Sequence, residues 1–150
     1  MKISIPQLSD SRFSQFLVTC ISYFKGMTKK IIFSPDAPAA IGPYSQAVEV
    51  NGTVFVSGQI ALSVFESGAS IEEETDQVMK NLGHILKAAG CTYDDVVKCS
   101  IFVKDMNNFA KINQVYGAYF PENPPARETV EVARLPKDVR VEISCIAYKS

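Results

Sequence analysis

The sequence predicts an α+β domain: a mixed β-sheet with two helices packed on one face, in the order β-β-β-α-β-α-β-β. Three observations predict it. Short runs alternate apolar and polar residues, the period-2 signature of half-buried strands. Asn51-Gly52 joins two of these runs, and it is the strongest short hairpin signal. Two longer stretches instead carry apolar residues at helical spacing, bounded by capping or breaking residues.

Residues 29–33 read as a short strand. Residues 34–43 hold Pro35, Pro38, Gly42 and Pro43 and read as an irregular loop. Residues 46–50 and 53–57 form a hairpin, because Asn-Gly tolerates the positive φ angles of a type I′ turn. Ser70 is a good N-cap, and Glu73 three residues on completes a capping box. Glu72, Glu73 and Glu74 suit the positive end of the helix dipole. Ile71, Val78, Leu82, Ile85, Leu86 and Ala89 make the apolar stripe of that helix, and Gly90 ends it. Residues 96–103, dense in Val, Ile and Phe, read as a buried strand. Met106, Phe109, Ile112, Val115, Tyr116 and Tyr119 place a second helix up to Phe120, before Pro121, Pro124 and Pro125 break it. Residues 128–135 and 138–148 alternate again. Joined by Leu135-Pro136-Lys137-Asp138, they read as an antiparallel pair. The second sheet face also needs cover, which a trimer packing its sheets around an axis would supply.

Residues 1–26 read differently from the rest. They carry Lys2, Arg12 and Lys25 against one acid, Asp10, together with five serines, and Met27 then resembles a fresh start. Upstream sequence translated from a misassigned start, a transit peptide and an appended helix compete as readings. The first is favoured, because residues 27–150 make a complete domain without the segment.

A chain of 150 residues that is 47% hydrophobic has enough apolar material for one core. The formal net charge of -1 provides no basic footprint for nucleic acid. No apolar run reaches the length of a membrane span; the longest near the start, residues 16–24, is interrupted by Thr19, Cys20 and Ser22. Cys20, Cys91, Cys99 and Cys145 form no C-x-x-C pair, so they read as reduced thiols of a cytoplasmic protein. A transit peptide would redirect the protein to mitochondria. His84, the sole histidine, has no partner for a metal cluster and reads as structural or surface.

Several residues are not explained by packing. Arg127 opens a strand behind Pro124-Pro125-Ala126, where a guanidinium can hold a carboxylate through a bidentate fork. A surface ion pair is the commoner use of such a residue. Glu142, between inward-pointing Val141 and Ile143, faces the opposite side of its strand. It is either a solvated carboxylate or one that orients and deprotonates water in an intersubunit cleft. Tyr44 sits in a loop after Gly42-Pro43. Ser57-Gly58-Gln59 ends a strand, and the glycine allows close backbone approach to a ligand. Asn113 lies among apolar neighbours in the second helix, so its amide needs a partner. No phosphate-binding loop, dinucleotide fingerprint, nucleophile elbow or metal-ligand spacing is present.

Residues 39–47 with Gly42-Pro43-Tyr44-Ser45-Gln46, Val56-Ser57-Gly58-Gln59-Ile60, Pro125-Ala126-Arg127 through Leu135-Pro136, and Val141-Glu142-Ile143 together resemble the Rid family. It is also called the YjgF or reactive-intermediate-deaminase family, and the RidA branch fits best. The likeness spans residues 28–150. It implies a chorismate-mutase-like fold and a homotrimer with clefts between subunits. It also implies cofactor-free hydrolysis of 2-iminobutanoate or 2-iminopropanoate, or their enamine tautomers, to 2-oxo acids and ammonia. By matching position, Arg127 would clamp the substrate carboxylate and Glu142 would position water. Ser57 and the Gly58 backbone would line the pocket, and Asn113 would complete it with Tyr44, reaching in from a neighbouring subunit. Two departures stand out. Residues 61–69 are shorter than the family's usual hairpin and lack its proline and acid. Thr129 stands where many members carry cysteine, so it would alter pocket shape more than chemistry. Two further readings remain: a non-catalytic trimeric sensor of 2-oxo acids, and the endoribonuclease activity reported across the family, which the charge and the single histidine support poorly.

Overall fold

Strand β1 (Lys30–Ile32) pairs antiparallel with β2 (Ala47–Val50), and β2 with β3 (Thr53–Gln59). The β2–β3 turn is Asn51-Gly52, at φ 50° and 78°, the left-handed values such a turn demands. This computed structural model describes residues 28–149. The competing readings of residues 1–26, the run at 16–24 and Cys20 lie outside the described residues.

Between β3 and the first long helix lies a short helix, α1 (Leu62–Glu66). Helical periodicity did not reveal it: five residues span little more than one turn, and no side chain caps its start. Gly68 at φ 77° then reverses the chain. Helix α2 (Ile71–Ala89) begins as predicted. Ser70 Oγ accepts from Glu73 N at 3.2 Å, and the Glu73 carboxylate accepts from Ser70 N at 2.8 Å. Gly90 closes the helix in the left-handed conformation. Strand β4 (Val96–Val103) follows, then a 3-10 turn capped by Asp105, then α3 (Phe109–Ala118). The remaining strands are β5 (Ala126–Glu131) and β6 (Val141–Tyr148).

The sheet order is β1-β2-β3-β6-β4-β5, and the described residues form a mixed six-stranded, chorismate-mutase-like α+β sheet with three α-helices. One expectation is corrected here: β5 and β6 are not neighbours. β5 pairs parallel with β4, while β6 lies antiparallel between β3 and β4. The reason lies in the connections. α3 provides the crossover that parallel β4 and β5 need. Residues 132–140 make no tight hairpin; they hold a 3-10 turn with Lys137 and Asp138 at φ 59° and 60°. Burial agrees, because Val141, Ile143, Cys145 and Ala147 of β6 are all buried, as a central strand requires.

The core lies between the sheet and the helices. Val54, Val56, Ile101, Val103 and Ile143 meet Val78, Leu82, Ile85, Leu86 and Ile112. Each such side chain contributes about 1.5–3 kcal/mol on full burial, and five on α2 and α3 together outweigh a cap of about 1 kcal/mol, so packing and not propensity docks α2. Cys91, Cys99 and Cys145 are free and buried, and His84 is partly exposed on α2.

Candidate functional site

The first group of site residues is assembled around Gln46. This buried amide accepts from Ser34 N at 2.7 Å and donates to Ser34 O and Pro38 O at 3.1 and 2.9 Å. It ties the proline-rich loop to the sheet. Tyr44 ends that loop: its N–H donates to Gly42 O at 2.8 Å, and its hydroxyl accepts from Ile41 N at 3.3 Å. Ser57 Oγ donates to Ser45 O at 2.8 Å, and Ser57 N donates to Gln46 O at 3.0 Å. The β3–β6 register shifts between Val56 and Gln59, a bulge that lifts Ser57-Gly58 out of the regular ladder.

Glu142 fills the space at this bulge. A Cβ on Gly58 would lie 1.9 Å from Glu142 Oε1, so only glycine permits the carboxylate to lie here. Glu142 is half-buried, and desolvation raises its pKa above the ordinary glutamate value. Tyr44, Ser57, Gly58 and Glu142 share a pocket of about 310 Å³ with Ile41 and Ile60. A carboxylate with a raised pKa beside hydroxyls is a stronger base toward a bound water than an ordinary glutamate.

The second group sits at the far sheet edge. Arg127 Nη1 donates to Asn113 Oδ1 at 2.6 Å, which gives the helix amide its partner. The guanidinium lies 5.0 Å from the Tyr116 ring centre and 5.8 Å from that of Phe109, both on α3. Among the described residues no carboxylate forms an ion pair with Arg127. Its neighbour Glu128 points the other way, to Lys98 and Ser100. Thr129, two residues on, stands on the Arg127 face; its buried hydroxyl and that of Tyr116 bond to nothing among the described residues. Burial also pushes the Cys99 thiol upward.

Within one chain the two groups do not meet. Arg127 is in register with buried Cys99, so it faces the helix layer. Glu142 is in register with Phe102 and faces outward. Tyr44, Ser57, Gly58 and Glu142 thus form one cluster, and Arg127, Asn113 and Thr129 form another. The reading from the residues missed Gln46 as the pin of the Tyr44 loop, and Ile41 and Ile60 as pocket walls. A buried glutamine bonded to backbone on a distant loop leaves no periodic trace.

The family described as endoribonuclease L-PSP matches residues 34–149. A RutC family protein of Synechocystis sp. is 52% identical over 126 residues, covering 81% of this chain and 97% of that protein. The 2-iminobutanoate/2-iminopropanoate deaminase of Mus musculus is 49% identical over 125 residues, covering 81% of this chain and 92% of that protein. The crystal structure of E. coli TdcF with bound serine matches with a TM-score of 0.75 at 42% identity, over 81% of this chain and 99% of that one.

Proposed function

Because the chain belongs to the endoribonuclease L-PSP family, the Rid or YjgF family, we propose that it hydrolyses reactive 2-imino acids such as 2-iminobutanoate and 2-iminopropanoate to 2-oxo acids and ammonia. One observation carries the reading: a desolvated carboxylate in a pocket on one sheet face, and on the other a guanidinium without an acidic partner among the described residues. The active assembly is a homotrimer in which the Arg127 edge of one copy closes the Glu142 pocket of the next. The substrate carboxylate binds the Arg127 fork, whose plane Asn113, Tyr116 and Phe109 hold. The iminium carbon is already electrophilic, so positioning a water is most of the task. Glu142 takes a proton as the water oxygen bonds to that carbon and passes it to the nitrogen; it then takes the hydroxyl proton as the C–N bond breaks, the carbonyl forms and ammonia leaves, and it releases that proton to solvent. The mouse relative's name and the serine, itself a small amino acid, bound in TdcF support this substrate class.

The test generates 2-iminopropanoate in place from alanine with an amino-acid oxidase and follows release of the 2-oxo acid. Arg127→Ala is expected to lower turnover by about a hundredfold or more, in line with the loss of a charged clamp. Its thermal midpoint should stay near wild type, because Arg127 is exposed. Wild-type turnover by the purified variant would exclude the carboxylate clamp.

A further inference from the structure

Beside the Glu142 pocket lies a second cavity, of about 320 Å³. The two share Ile41, Tyr44, Gly58 and Ile60 in their linings, so they lie side by side. Its remaining apolar walls come from Pro38 and Ala39 in the tied loop, and from Ala61 and Leu62 at the start of α1. Ala61, Leu62, Ser63 and Glu66 of the lining belong to residues 61–69, the stretch read from the sequence as shorter than the family's usual hairpin.

The polar groups of this cavity are largely spent within the protein. Gln77 Nε2 donates to Asn81 Oδ1 at 2.9 Å, and Asn81 Nδ2 donates to Ile60 O at 3.1 Å. Gln59 Nε2 donates to Ser57 O and Gly58 O at 3.1 and 3.2 Å, and Gln46 is occupied with its loop. A guest finds apolar wall, with the exposed Glu66 in the lining to oppose an acidic side chain. A methyl group would leave most of this volume unused.

We propose that this cavity receives the substrate side chain, so that the protein prefers imino acids with branched or longer neutral aliphatic chains to 2-iminopropanoate. The inference rests on the deaminase reading, which places the reacting carbon at Glu142. Each methylene moved from water into a fitting apolar pocket improves binding by about fourfold, so an isobutyl group should gain at least about tenfold over methyl.

The test compares kcat/KM for imines made in place from leucine and from alanine, using the full chain. Wild type should favour the leucine-derived imine by at least about tenfold. Ser63→Trp places an indole at the cavity wall from an exposed position of α1, so the core need not repack. It should reduce that leucine-to-alanine ratio by about tenfold, with an unchanged thermal midpoint. Equal rates on the two imines in wild type, or an unchanged ratio in the variant, would overturn the proposal. Should no imine be hydrolysed at all, the deaminase reading fails, and calorimetry still decides the cavity. Tighter binding of 4-methyl-2-oxopentanoate than of pyruvate, lost in Ser63→Trp, upholds it, and equal binding refutes it.

Discussion

At position 58 a side chain is excluded by a carboxylate and not by backbone conformation. Gly58 has no positive φ, yet a methyl there would fall 1.9 Å from Glu142 Oε1 and 2.8 Å from its Cδ. Gly58→Ala must therefore push Glu142 aside. A displacement of about 1 Å at a reacting group costs on the order of a hundredfold in rate. We expect that loss in kcat/KM with a far smaller change in urea midpoint, read on the same preparation. Glu142 itself carries a pH signature. Its pKa is raised in the folded state by desolvation, so the native state favours the protonated form. That stabilisation is complete below the unfolded value of about 4.3 and is lost as pH rises through the folded pKa. Above the folded pKa the ionised group opposes folding. Glu142→Gln should thus raise the thermal midpoint at pH above the folded pKa, and the gain should shrink to nothing as pH falls below about 4. Wild-type kcat/KM should fall with acidification through a pKa above the ordinary glutamate value. Glu142 and Arg127 were legible as residues that packing left unexplained. Their placement on opposite faces was not, because the parity of Arg127 has meaning only once Cys99 is known to be its partner.

Among the elements, α2 is held at its start by more than its capping box. Glu74 is fully buried, and its oxygens accept from Arg140 N at 2.9 Å and Arg140 Nε at 2.6 Å, while Arg140 Nη2 donates to Ala69 O at 2.6 Å. One ion pair therefore joins the first turn of α2, the end of the α1 connection and the entry to β6. Removing one partner strands the other charge, the costly case for a buried pair. Glu74→Ala should lower unfolding stability by about 3–5 kcal/mol in urea titration, against about 1 kcal/mol for Ser70→Ala at the cap. A cost for Glu74→Ala as small as that for the cap would remove the pair from the list of fold determinants. Elements were read well where periodicity spoke. The capping box, the Gly90 stop, the Asn51-Gly52 turn and β4 stand where the residues put them. The pairing of β5 was not legible, since alternation says which way side chains point and not which strand lies beside them. Neither was the Glu74–Arg140 pair, whose partners are 66 residues apart.

At the scale of the molecule, the outer sheet face sets the argument. Ile31, Phe55, Val130 and Tyr148 stand on it at 41–54% exposure, a large apolar surface for a lone domain. Copies packed through this face would cover it and bring one Arg127 edge toward another copy's Glu142 pocket. This arrangement predicts complementation between inactive variants. Arg127→Ala retains every Glu142 half-site, and Glu142→Gln retains every Arg127 half-site. Unfolded together at equal amounts and refolded, the two chains assort at random around a closed ring. A given interface then draws an intact Arg127 from one copy and an intact Glu142 from the next in about one quarter of cases, whatever the number of copies in the ring. The mixture should regain about a quarter of wild-type turnover, while each variant refolded alone stays inactive. If one chain supplied both groups to its own site, every site in the mixture would carry one lesion and no activity would return. Recovery near zero, with mixed oligomers verified by mass spectrometry, would therefore confine the chemistry to single chains and end the intersubunit reading.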